Sequence, residues 1–373
     1  MTLQELRTPC VLVDWPRVER NLDRMQAAVT GGGIRLRPHA KTHKSPEVAR
    51  LQIARGAVGI CCAKLGEAEV FAAAGIRDIR LPYPLHPSNA DRAIALLDRT
   101  HLSFIVDNLD VARGWSAAMT AAGREVDVLV KVDVGLHRCG IDPDSPGAAE
   151  MVAGVGRLPG LRLRGLLSHA GHAYGAASDE ETARIAVAER DTLTALAARV
   201  AALGVTCGEI SVGATPTARH SARLTGITEM RPGNYAYYDR MQVALGAAAW
   251  TDCALTVLAR VVSRPAPDRV IVDSGSKTLT NDLARGFTPM PGYGAVFEDL
   301  HVSVPDARLT IERLSEEHAN VRAMGDPHLP TGTLVRLVPN HSCVVSNLVD
   351  TVWIVDGERV VERLPVAARG RIT

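Results

Sequence analysis

The feature that most constrains the fold of this chain is a repeated alternation of short β-like runs and helical patterns over its first two-thirds. Parallel strands joined by crossover helices produce this alternation. Eight such runs over roughly 200 residues fit an α/β fold of the (β/α)8 TIM barrel type better than an open doubly wound sheet. The predicted runs are 34–40, 58–63, 79–83, 102–106, 126–134, 163–169, 209–213 and 228–231.

After about residue 240 the pattern changes. Predicted strands at 254–262, 269–273, 334–338, 343–348 and 351–355 follow one another through Gly/Pro turns, without amphipathic helices between them. We therefore predict a barrel over residues 1–240 and a C-terminal, mainly β domain over residues 241–373. A first strand at about residues 8–14 is expected to pair with the β domain.

Composition excludes several classes of function. The 373 residues contain 42 Lys+Arg and 41 Asp+Glu, so the net charge of +1 offers no basic footprint for nucleic acid. The most apolar stretch, 244–262, is interrupted by Thr251, Asp252 and Arg260, which argues against a membrane span. Seven scattered cysteines without a CxxC pair, and no visible signal peptide, predict a cytoplasmic location. Near-neutral charge fits a small zwitterionic substrate.

Lysine is rare in this chain and points to amine chemistry. Only five of the 42 basic residues are lysines, and an amine, unlike a guanidinium, can become a nucleophile. Functional residues of a barrel follow the C-terminal ends of its strands, and Lys41 follows the first run beside His39 and His43. Crowding in such a pocket lowers the pKa of an amine, as Schiff-base chemistry requires. A solvated basic loop is the alternative interpretation.

Two turns rich in small residues follow the seventh and eighth runs. Residues 213–217 and 233–234 carry backbone N–H groups and hydroxyls that can hold a phosphate, although strand-end turns commonly contain Gly and Pro. The last two strands form the usual phosphate site of a barrel. An amine after strand one and a phosphate cradle after strands seven and eight together indicate pyridoxal phosphate.

Seven motifs carry a family resemblance across nearly the whole chain. RPHAKTHKS, KVDVGLHRCG, HAGHAYG, GATPT, RPGNYAYYD, DSGSK and PNHSC occur in this order between residues 37 and 343. They resemble the D-threonine aldolase and D-serine dehydratase family, the metal-dependent branch of the alanine racemase-like (fold type III) pyridoxal phosphate enzymes. The resemblance implies a barrel, a C-terminal β domain, and a homodimer whose active site is closed by the partner's β domain.

The resemblance also implies roles for individual residues. It implies that Lys41 forms the Schiff base with pyridoxal 5'-phosphate. The other cofactor contacts that it implies are Arg138 near the phenolic oxygen, His169 and Tyr174 along the ring and pocket, Arg231 near the pyridine nitrogen, and Thr215, Gly233 and Asn234 at the phosphate. For Arg138 and Arg231 an ordinary ion pair is the alternative.

His341 and Cys343 form the predicted metal pair. In a strand, an HxC spacing places both side chains on one face, and a nitrogen with a sulfur favours Zn2+ over a hard ion. Two ligands alone do not complete a site, so the residues by themselves leave a structural role open. The resemblance implies a divalent metal, Zn2+ or Mn2+, beside the cofactor. Aldolases that it resembles have HxD with Mn2+, whereas eukaryotic D-serine dehydratases have HxC with zinc.

The expected function is a lyase acting on D-β-hydroxy amino acids. The first expectation is a D-threonine aldolase, which cleaves its substrate to glycine and an aldehyde, with His172 (or His43 through water) as the base. The alternative is a D-serine dehydratase, in which Lys41 removes the α-proton and the metal assists departure of hydroxide, giving pyruvate and ammonia. Cys343 favours dehydration, whereas the arginine-rich, bacterial-looking composition and the family's broad substrate use favour the aldolase.

Two further alternatives stay open. An amino-acid racemase of this fold uses a second base from the partner's β domain and needs no metal, so the HxC pair argues against it. A non-catalytic pyridoxal phosphate carrier needs only a barrel, so the predicted second domain of about 130 residues argues against it.

Overall fold

Two β-sheets organise the chain. The computed structural model describes residues 1–287, 290–325 and 327–373. Within these ranges one sheet has eight strands and the other has nine. The helices between the eight strands pack against them and against each other. The first sheet therefore has the architecture that alternating strands and helices predict.

The eight-stranded sheet is a closed barrel of parallel strands. After β1 (Cys10–Asp14), its strands are β2 (Arg35–Leu36), β3 (Ile60–Cys61), β4 (Asp78–Pro84), β5 (His101–Val106), β6 (Val126–Lys131), β7 (Leu161–Leu167), β8 (Glu209–Val212) and β9 (Glu229–Met230). Neighbours pair in the order β2-β9-β8-β7-β6-β5-β4-β3. The Cys61 N–H donates to the Pro38 carbonyl at 2.8 Å, which joins β3 to the end of β2 and closes the barrel. Each predicted run overlaps one of these strands, so the predicted barrel is confirmed.

Local capping places the helices that join the strands. The helices are α1 (Trp15–Gly31), α2 (Pro46–Ala54), α3 (Leu65–Ala73), α4 (Ala90–Leu97), α5 (Leu109–Ala121), α6 (Ala148–Gly156), α7 (Asp179–Ala202), α8 (Ala218–Ser221) and α9 (Arg240–Ala244). The Asp14 carboxylate accepts from the Arg17 N–H at 3.0 Å and starts α1. The Ser178 hydroxyl accepts from the Glu181 N–H at 3.2 Å and starts α7. Within the described ranges, none of the helices has both the length and the apolar content that crossing a bilayer requires.

The second sheet forms the C-terminal, mainly β domain that the sequence predicts. Its strands after the barrel are β10 (Leu255–Ala266), β11 (Arg269–Val272), β12 (Gly294–Phe297), β13 (Leu309–Leu314), β14 (Ala319–Ala323), β15 (Leu334–Pro339), β16 (Thr351–Asp356) and β17 (Arg359–Pro365), with helix α10 (Ser276–Leu279) after β11. Strand β1 lies in this sheet, antiparallel to β10 and parallel to β16. The start of the chain is therefore built into the C-terminal domain.

One predicted strand of this domain is wrong. Residues 343–348 form part of helix α11 (Ser342–Leu348), and His341 occupies the N-cap position. A short apolar run such as this one does not distinguish a strand from a buried helix by its pattern. The Asp239 carboxylate accepts a hydrogen bond from the Ser342 N–H at 3.0 Å and stabilises the helix start. That contact is tertiary and is invisible in the local sequence.

A buried network of charges fills the barrel interior at the starts of the strands. Glu229, fully buried, accepts from the Arg37 guanidinium at 2.8 Å and the Arg80 guanidinium at 2.5 Å. Arg80 also donates to Glu209 at 3.0 Å. These charges are paired within the barrel, as buried charges must be. Arg231 follows Glu229 by two residues, so this network supports the residues that follow the strand ends.

Candidate active site

The residues that follow the barrel strands converge on one cavity of about 700 Å³. Residues of the C-terminal domain complete its wall. The predicted site residues that line it are Lys41, Arg138, His169, Tyr174, Thr215, Arg231, Gly233, Asn234, His341 and Cys343. The structure thus brings together every residue predicted to contact a cofactor or a metal. His172 is not among the lining residues.

Lys41 lies on a single 3-10 turn, Ala40–Thr42, which is the next element after β2. The His39 side chain starts this turn, because its Nδ1 atom accepts a hydrogen bond from the Lys41 N–H at 3.3 Å. Thr42, the last residue of the turn, and His43, which follows it, are both buried. The lysine amine is therefore presented to the cavity from a short segment fixed at both ends.

Two neutral histidines lie beside Lys41. Burial, with Lys41 close by, holds the pKa of both His39 and His169 well below the ordinary value. The Nδ1 atom of His169 donates to the backbone carbonyl of Gly213, because a carbonyl can only accept. This bond leaves the Nε2 atom of His169 as the free acceptor. The cavity therefore presents uncharged imidazoles rather than additional cations to an anionic cofactor.

Arg231 is held by neutral oxygens. Its Nε atom donates to the Ser211 hydroxyl at 2.8 Å, and its guanidinium donates to the Ser168 carbonyl. Burial lowers the pKa of Arg231. Across the described part of the chain Arg231 makes no salt bridge, so the ordinary ion pair considered from the sequence is absent there. Its charge remains directed at the cavity.

The turns after β8 and β9 form the predicted phosphate end. Thr215 is buried, and its hydroxyl has no hydrogen-bond partner in the structure. A Cβ atom on Gly233 would lie 2.9 Å from the carbonyl oxygen of His39, so the backbone there approaches its neighbour too closely for a side chain. An unpartnered buried hydroxyl beside a backbone turn that lines the cavity is what an anionic group would satisfy.

The side chain of Asn234 contacts residues of both the barrel and the C-terminal domain. Its side-chain amide donates to the Asp239 carboxylate at 2.5 Å and to the Ser342 hydroxyl at 3.2 Å. The same nitrogen lies 3.7 Å from Cys343 Sγ. The side chain of Asn234 therefore fixes the start of helix α11. Any contact to a phosphate would come from the Asn234 backbone N–H, because an amide oxygen can only accept a hydrogen bond.

Arg138 and Tyr174 both line the cavity, but Arg138 is the more exposed of the two. Arg138 is exposed, on the loop after β6, whereas the Tyr174 hydroxyl accepts from the Gln242 amide at 3.3 Å. Burial raises the pKa of Tyr174, so its hydroxyl stays protonated. In the described ranges Arg138 has no salt-bridge partner, which leaves it available to a ligand.

His341 and Cys343 lie in the same cavity as Lys41, although not on a strand. Burial opposes the charged form of both side chains, yet their mutual attraction outweighs it: the pKa of His341 rises to about 11 and that of Cys343 falls below its usual value. Cys343 is thereby favoured as a thiolate, the form that binds metals. Among the described residues no cluster of three or more His, Cys, Asp or Glu side chains is arranged to hold a metal. The pair would supply two ligands and leave the rest to water and substrate.

The predicted bases lie outside the cavity wall. His172 packs against Gly135, where an added Cβ would meet its ring at 3.3 Å, and its Nδ1 atom is buried without a partner. His43 is buried between the rings of Phe71 and Tyr237. Neither histidine therefore lines the cavity in this arrangement.

Sequence reasoning missed three charged residues that line the cavity, Lys131, Asp282 and Arg285. Lys131, at the end of β6, lines the cavity, and burial with nearby Arg231 lowers its pKa to about 8. Asp282 also lines the cavity and accepts from His341 Nδ1 at 2.9 Å. Lys131 is the first residue of the motif KVDVGLHRCG, so the motif could have indicated that Lys131 belongs to the site. Asp282 follows DSGSK by several residues and carried no comparable signal.

Comparison with known proteins agrees with this geometry. The family model described as "Alanine racemase, N-terminal domain" matches residues 13–241, and the model described as "Putative serine dehydratase domain" matches residues 254–355. The chain belongs to the D-threonine aldolase and D-serine dehydratase family. This is the alanine racemase-like group of pyridoxal phosphate-dependent lyases, so the resemblance inferred from the seven motifs is confirmed.

Individual relatives align with this chain over nearly its full length. A D-threo-3-hydroxyaspartate dehydratase from Delftia sp. (strain HT23) is 36% identical, with 92% of each chain covered. A D-threonine aldolase from Arthrobacter sp. is 35% identical, with 99% of this chain and 94% of the aldolase covered.

Solved structures give the same result. A histidine-to-alanine variant of D-threo-3-hydroxyaspartate dehydratase superposes with a TM-score of 0.92 at 32% identity, covering 98% of this chain and 96% of the other. A cysteine-to-alanine variant, in the metal-free form, gives a TM-score of 0.91 at 33% identity, covering 98% and 99%.

Proposed function

We propose that this chain is a pyridoxal phosphate- and divalent metal-dependent lyase that dehydrates D-β-hydroxy amino acids. The observation that carries the proposal is the placement of His341 and Cys343 in the cavity that Lys41 also lines. A lysine amine, a phosphate cradle and a soft metal-binding pair share one enclosed space. Each feature alone has a structural explanation, but their convergence favours a single catalytic site.

The residues present fit the cofactor. The unpartnered Thr215 hydroxyl and the close backbone approach at Gly233 suit a phosphate, and Lys41 lies within the same cavity. Arg231, which makes no salt bridge with any described residue, lines the same cavity. Lys41 would hold the cofactor through its amine, Thr215 and Gly233 would hold its phosphate, and Arg138 and Arg231 would contact its ring. When bound, the cofactor supplies an electron sink for charge that develops at the substrate's α-carbon.

The donor set also fits a divalent metal. A thiolate with an imidazole suits Zn2+ better than a hard cation, although a substrate hydroxyl and water would add oxygen ligands. Two protein ligands leave positions open, as a catalytic site requires. The metal would supply Lewis acidity at the β-hydroxyl of the substrate.

The protein's own groups then determine which bond breaks. In dehydration the substrate loses its α-proton and its β-hydroxide as water, and the resulting enamino acid hydrolyses to a keto acid and ammonia. The Lys41 amine is the base that the cavity offers for the α-proton. His39 and His169, held neutral, avoid adding positive charge that would compete with the metal.

The relatives support dehydration over aldol cleavage. The alanine variants solved for D-threo-3-hydroxyaspartate dehydratase replace a histidine and a cysteine two positions apart, and the cysteine variant is metal-free. The same spacing separates His341 from Cys343 here. A shared His-x-Cys pair in proteins that superpose over nearly their whole length favours the same type of metal site.

Retro-aldol cleavage is the second candidate function. It was the first expectation from the sequence, and the 35% identity to a D-threonine aldolase over 99% of this chain favours it. In this reaction a base removes the hydroxyl proton and the Cα–Cβ bond breaks to give glycine and an aldehyde. Neither predicted base, His172 or His43, lines the cavity, which argues for ranking it second.

A product assay distinguishes the candidates. The purified protein, loaded with cofactor and Zn2+ or Mn2+, is given D-serine, D-threonine and D-threo-3-hydroxyaspartate separately. Keto acid and ammonia support dehydration, whereas glycine and an aldehyde support aldol cleavage. Racemised substrate with activity insensitive to a chelator indicates a racemase. A bound cofactor without any product indicates a carrier, and either of the last two results overturns the proposal.

We also propose that the protein is a homodimer. The resemblance implies that the partner's β domain closes the active site, whereas the chain's own His341 and Cys343 already contribute to the cavity wall. Light scattering of the purified protein at several concentrations tests the dimer. A monomer that retains full activity would contradict it.

A further inference from the structure

We infer that Asp282 is a positioning residue that holds the imidazole of His341 in the orientation and tautomer needed to bind a metal ion. The inference rests on the proposed function, because it concerns the metal pair of that site. It assigns a role to a residue outside the seven motifs. It also predicts which ring nitrogen of His341 faces the metal.

The contact between the two side chains defines the tautomer. Asp282 Oδ2 lies 2.9 Å from His341 Nδ1. An ionised carboxylate can only accept a hydrogen bond, so Nδ1 carries the proton. In a neutral imidazole the other nitrogen, Nε2, then keeps its lone pair and is the atom available to a metal. Without Asp282, either nitrogen could carry the proton and the ring could rotate.

Asp282 is itself held in place by the C-terminal domain. Its backbone carbonyl accepts from the Asn340 side-chain amide at 2.9 Å, and the same amide donates to the Gly292 carbonyl at 2.9 Å. Asn340 is completely buried. The Arg240 guanidinium donates to the Asn340 side-chain oxygen at 3.1 Å. The residue directly before His341 therefore fixes the backbone of the residue whose carboxylate orients His341.

The arrangement matches the chemistry of metal-binding histidines. Such histidines commonly donate their second N–H to a carboxylate, which fixes the ring and increases its basicity toward the metal. Asp282 is half-exposed, with a side-chain exposure of 44%, so a purely structural salt bridge at this position would contribute little to folding stability. A loss of metal affinity that exceeds any loss of stability would therefore identify a positioning role.

The experiment measures metal binding by the cofactor-loaded protein, independently of turnover. The variants are Asp282→Asn, which keeps the shape but loses the charge, Asp282→Ala, which removes the acceptor, and His341→Ala, which removes the ligand. Asp110→Asn is the matched control, because Asp110 is 86% exposed on α5 and outside the cavity. Zn2+ affinity is measured by competition with a chromophoric chelator. Co2+ absorption reports the Cys343 thiolate as a ligand.

We expect Asp282→Ala to weaken Zn2+ binding by about 10- to 100-fold and Asp282→Asn to weaken it less. Asp110→Asn should bind like the wild type. If His341→Ala loses the metal while both Asp282 variants retain wild-type affinity, the positioning role is overturned and the proposed function stands. If His341→Ala also keeps its metal, both fail.

A second measurement distinguishes a lost positioning role from misfolding of the variant. Nitrogen-15 NMR of histidine-labelled protein reports the tautomer of His341, which is assigned by its absence in His341→Ala. In the Zn2+-saturated wild type the proton should reside on Nδ1, and Nε2 should face the metal. In Zn2+-saturated Asp282→Ala, which has no side-chain acceptor at this position, that preference should weaken. An unchanged tautomer in this variant would overturn the inference even if metal affinity had fallen.

Discussion

The Thr42 hydroxyl oxygen lies 3.1 Å from Cys343 Sγ, although the two residues are 301 positions apart in the chain. Thr42 follows Lys41 directly and is fully buried on the same short turn. This contact joins the segment that carries the candidate cofactor lysine to the segment that carries the candidate metal pair. Together with the contacts of Asn234 and Asp239 to Ser342, this hydrogen bond sets the distance between the two centres.

Replacing Thr42 by Val removes that hydrogen bond while keeping the side-chain shape. A hydrogen bond to a charged group contributes about 1.5–3 kcal/mol, so Zn2+ affinity should fall by about tenfold or more. Thr42→Ser keeps the hydroxyl and should bind Zn2+ nearly as the wild type does. Equal affinities of the Val and Ser variants would show that the hydroxyl does not support the thiolate.

Adding a methyl group at Gly233 should weaken cofactor binding. The new Cβ atom would lie 2.9 Å from the His39 carbonyl oxygen, so the turn would have to move away from the phosphate end of the cavity. The loss of one bond to a charged phosphate corresponds to about a tenfold weaker Kd. The absorbance of bound cofactor during titration measures it. Gly31→Ala, with open space around its Cβ, is the control and should bind normally.

Neutralising Glu229 should strongly destabilise the barrel. Glu229→Gln leaves the Arg37 and Arg80 guanidinium groups without the carboxylate that both contact in the barrel interior. Breaking a buried ion pair by removing one partner costs about 3–5 kcal/mol. Urea unfolding measures the change. The control is Glu312→Gln, whose side chain is 48% exposed and pairs with Arg322 at the surface. Similar losses for both variants would contradict the buried network.

Stability should depend on pH through His101. Asp127 and Asp78, whose oxygens lie 2.9 Å and 3.3 Å from the ring, raise the pKa of His101 to about 9. Its unfolded pKa is about 6.5. Because the folded state binds the proton more tightly, this contribution is fully present below about pH 6.5 and is lost as the pH rises through about 9.

The measurement compares the wild type with His101→Gln. The difference between their free energies of unfolding should be largest below about pH 6.5 and should decrease above about pH 9. A difference that does not change over this range would contradict the raised pKa. The half-exposed position of His101 means that salt should also reduce the difference.

The barrel could be predicted from the sequence because its signals are local. Each strand is a short apolar run followed by a helical pattern, and the order of the elements determines the order of the strands in a parallel barrel. The placement of Lys41 after β2 and of Gly233 after β9 follows from the same rule, since functional residues follow strand ends. Family motifs then supplied the identities that position alone left open.

The parts that could not be predicted depend on contacts between distant segments. Helix α11 is stabilised by Asp239, which lies 103 positions before Ser342, so its residues looked like another strand. Asp282 acts on His341 across 59 positions and belongs to no regular pattern. The assignment of His172 as a base rested on a motif, whereas its side chain packs against Gly135 instead of lining the cavity.

Borohydride reduction of the cofactor-loaded protein shows whether Lys41 holds the cofactor. Two of the five lysines line the cavity, Lys41 and Lys131, and the lowered pKa of Lys131 makes it the credible competitor. Reduction fixes the cofactor to its lysine, and mass spectrometry of the digested protein locates it. We expect the added pyridoxyl mass on the peptide that contains Lys41. The same mass on Lys131, or no labelled lysine, would contradict it.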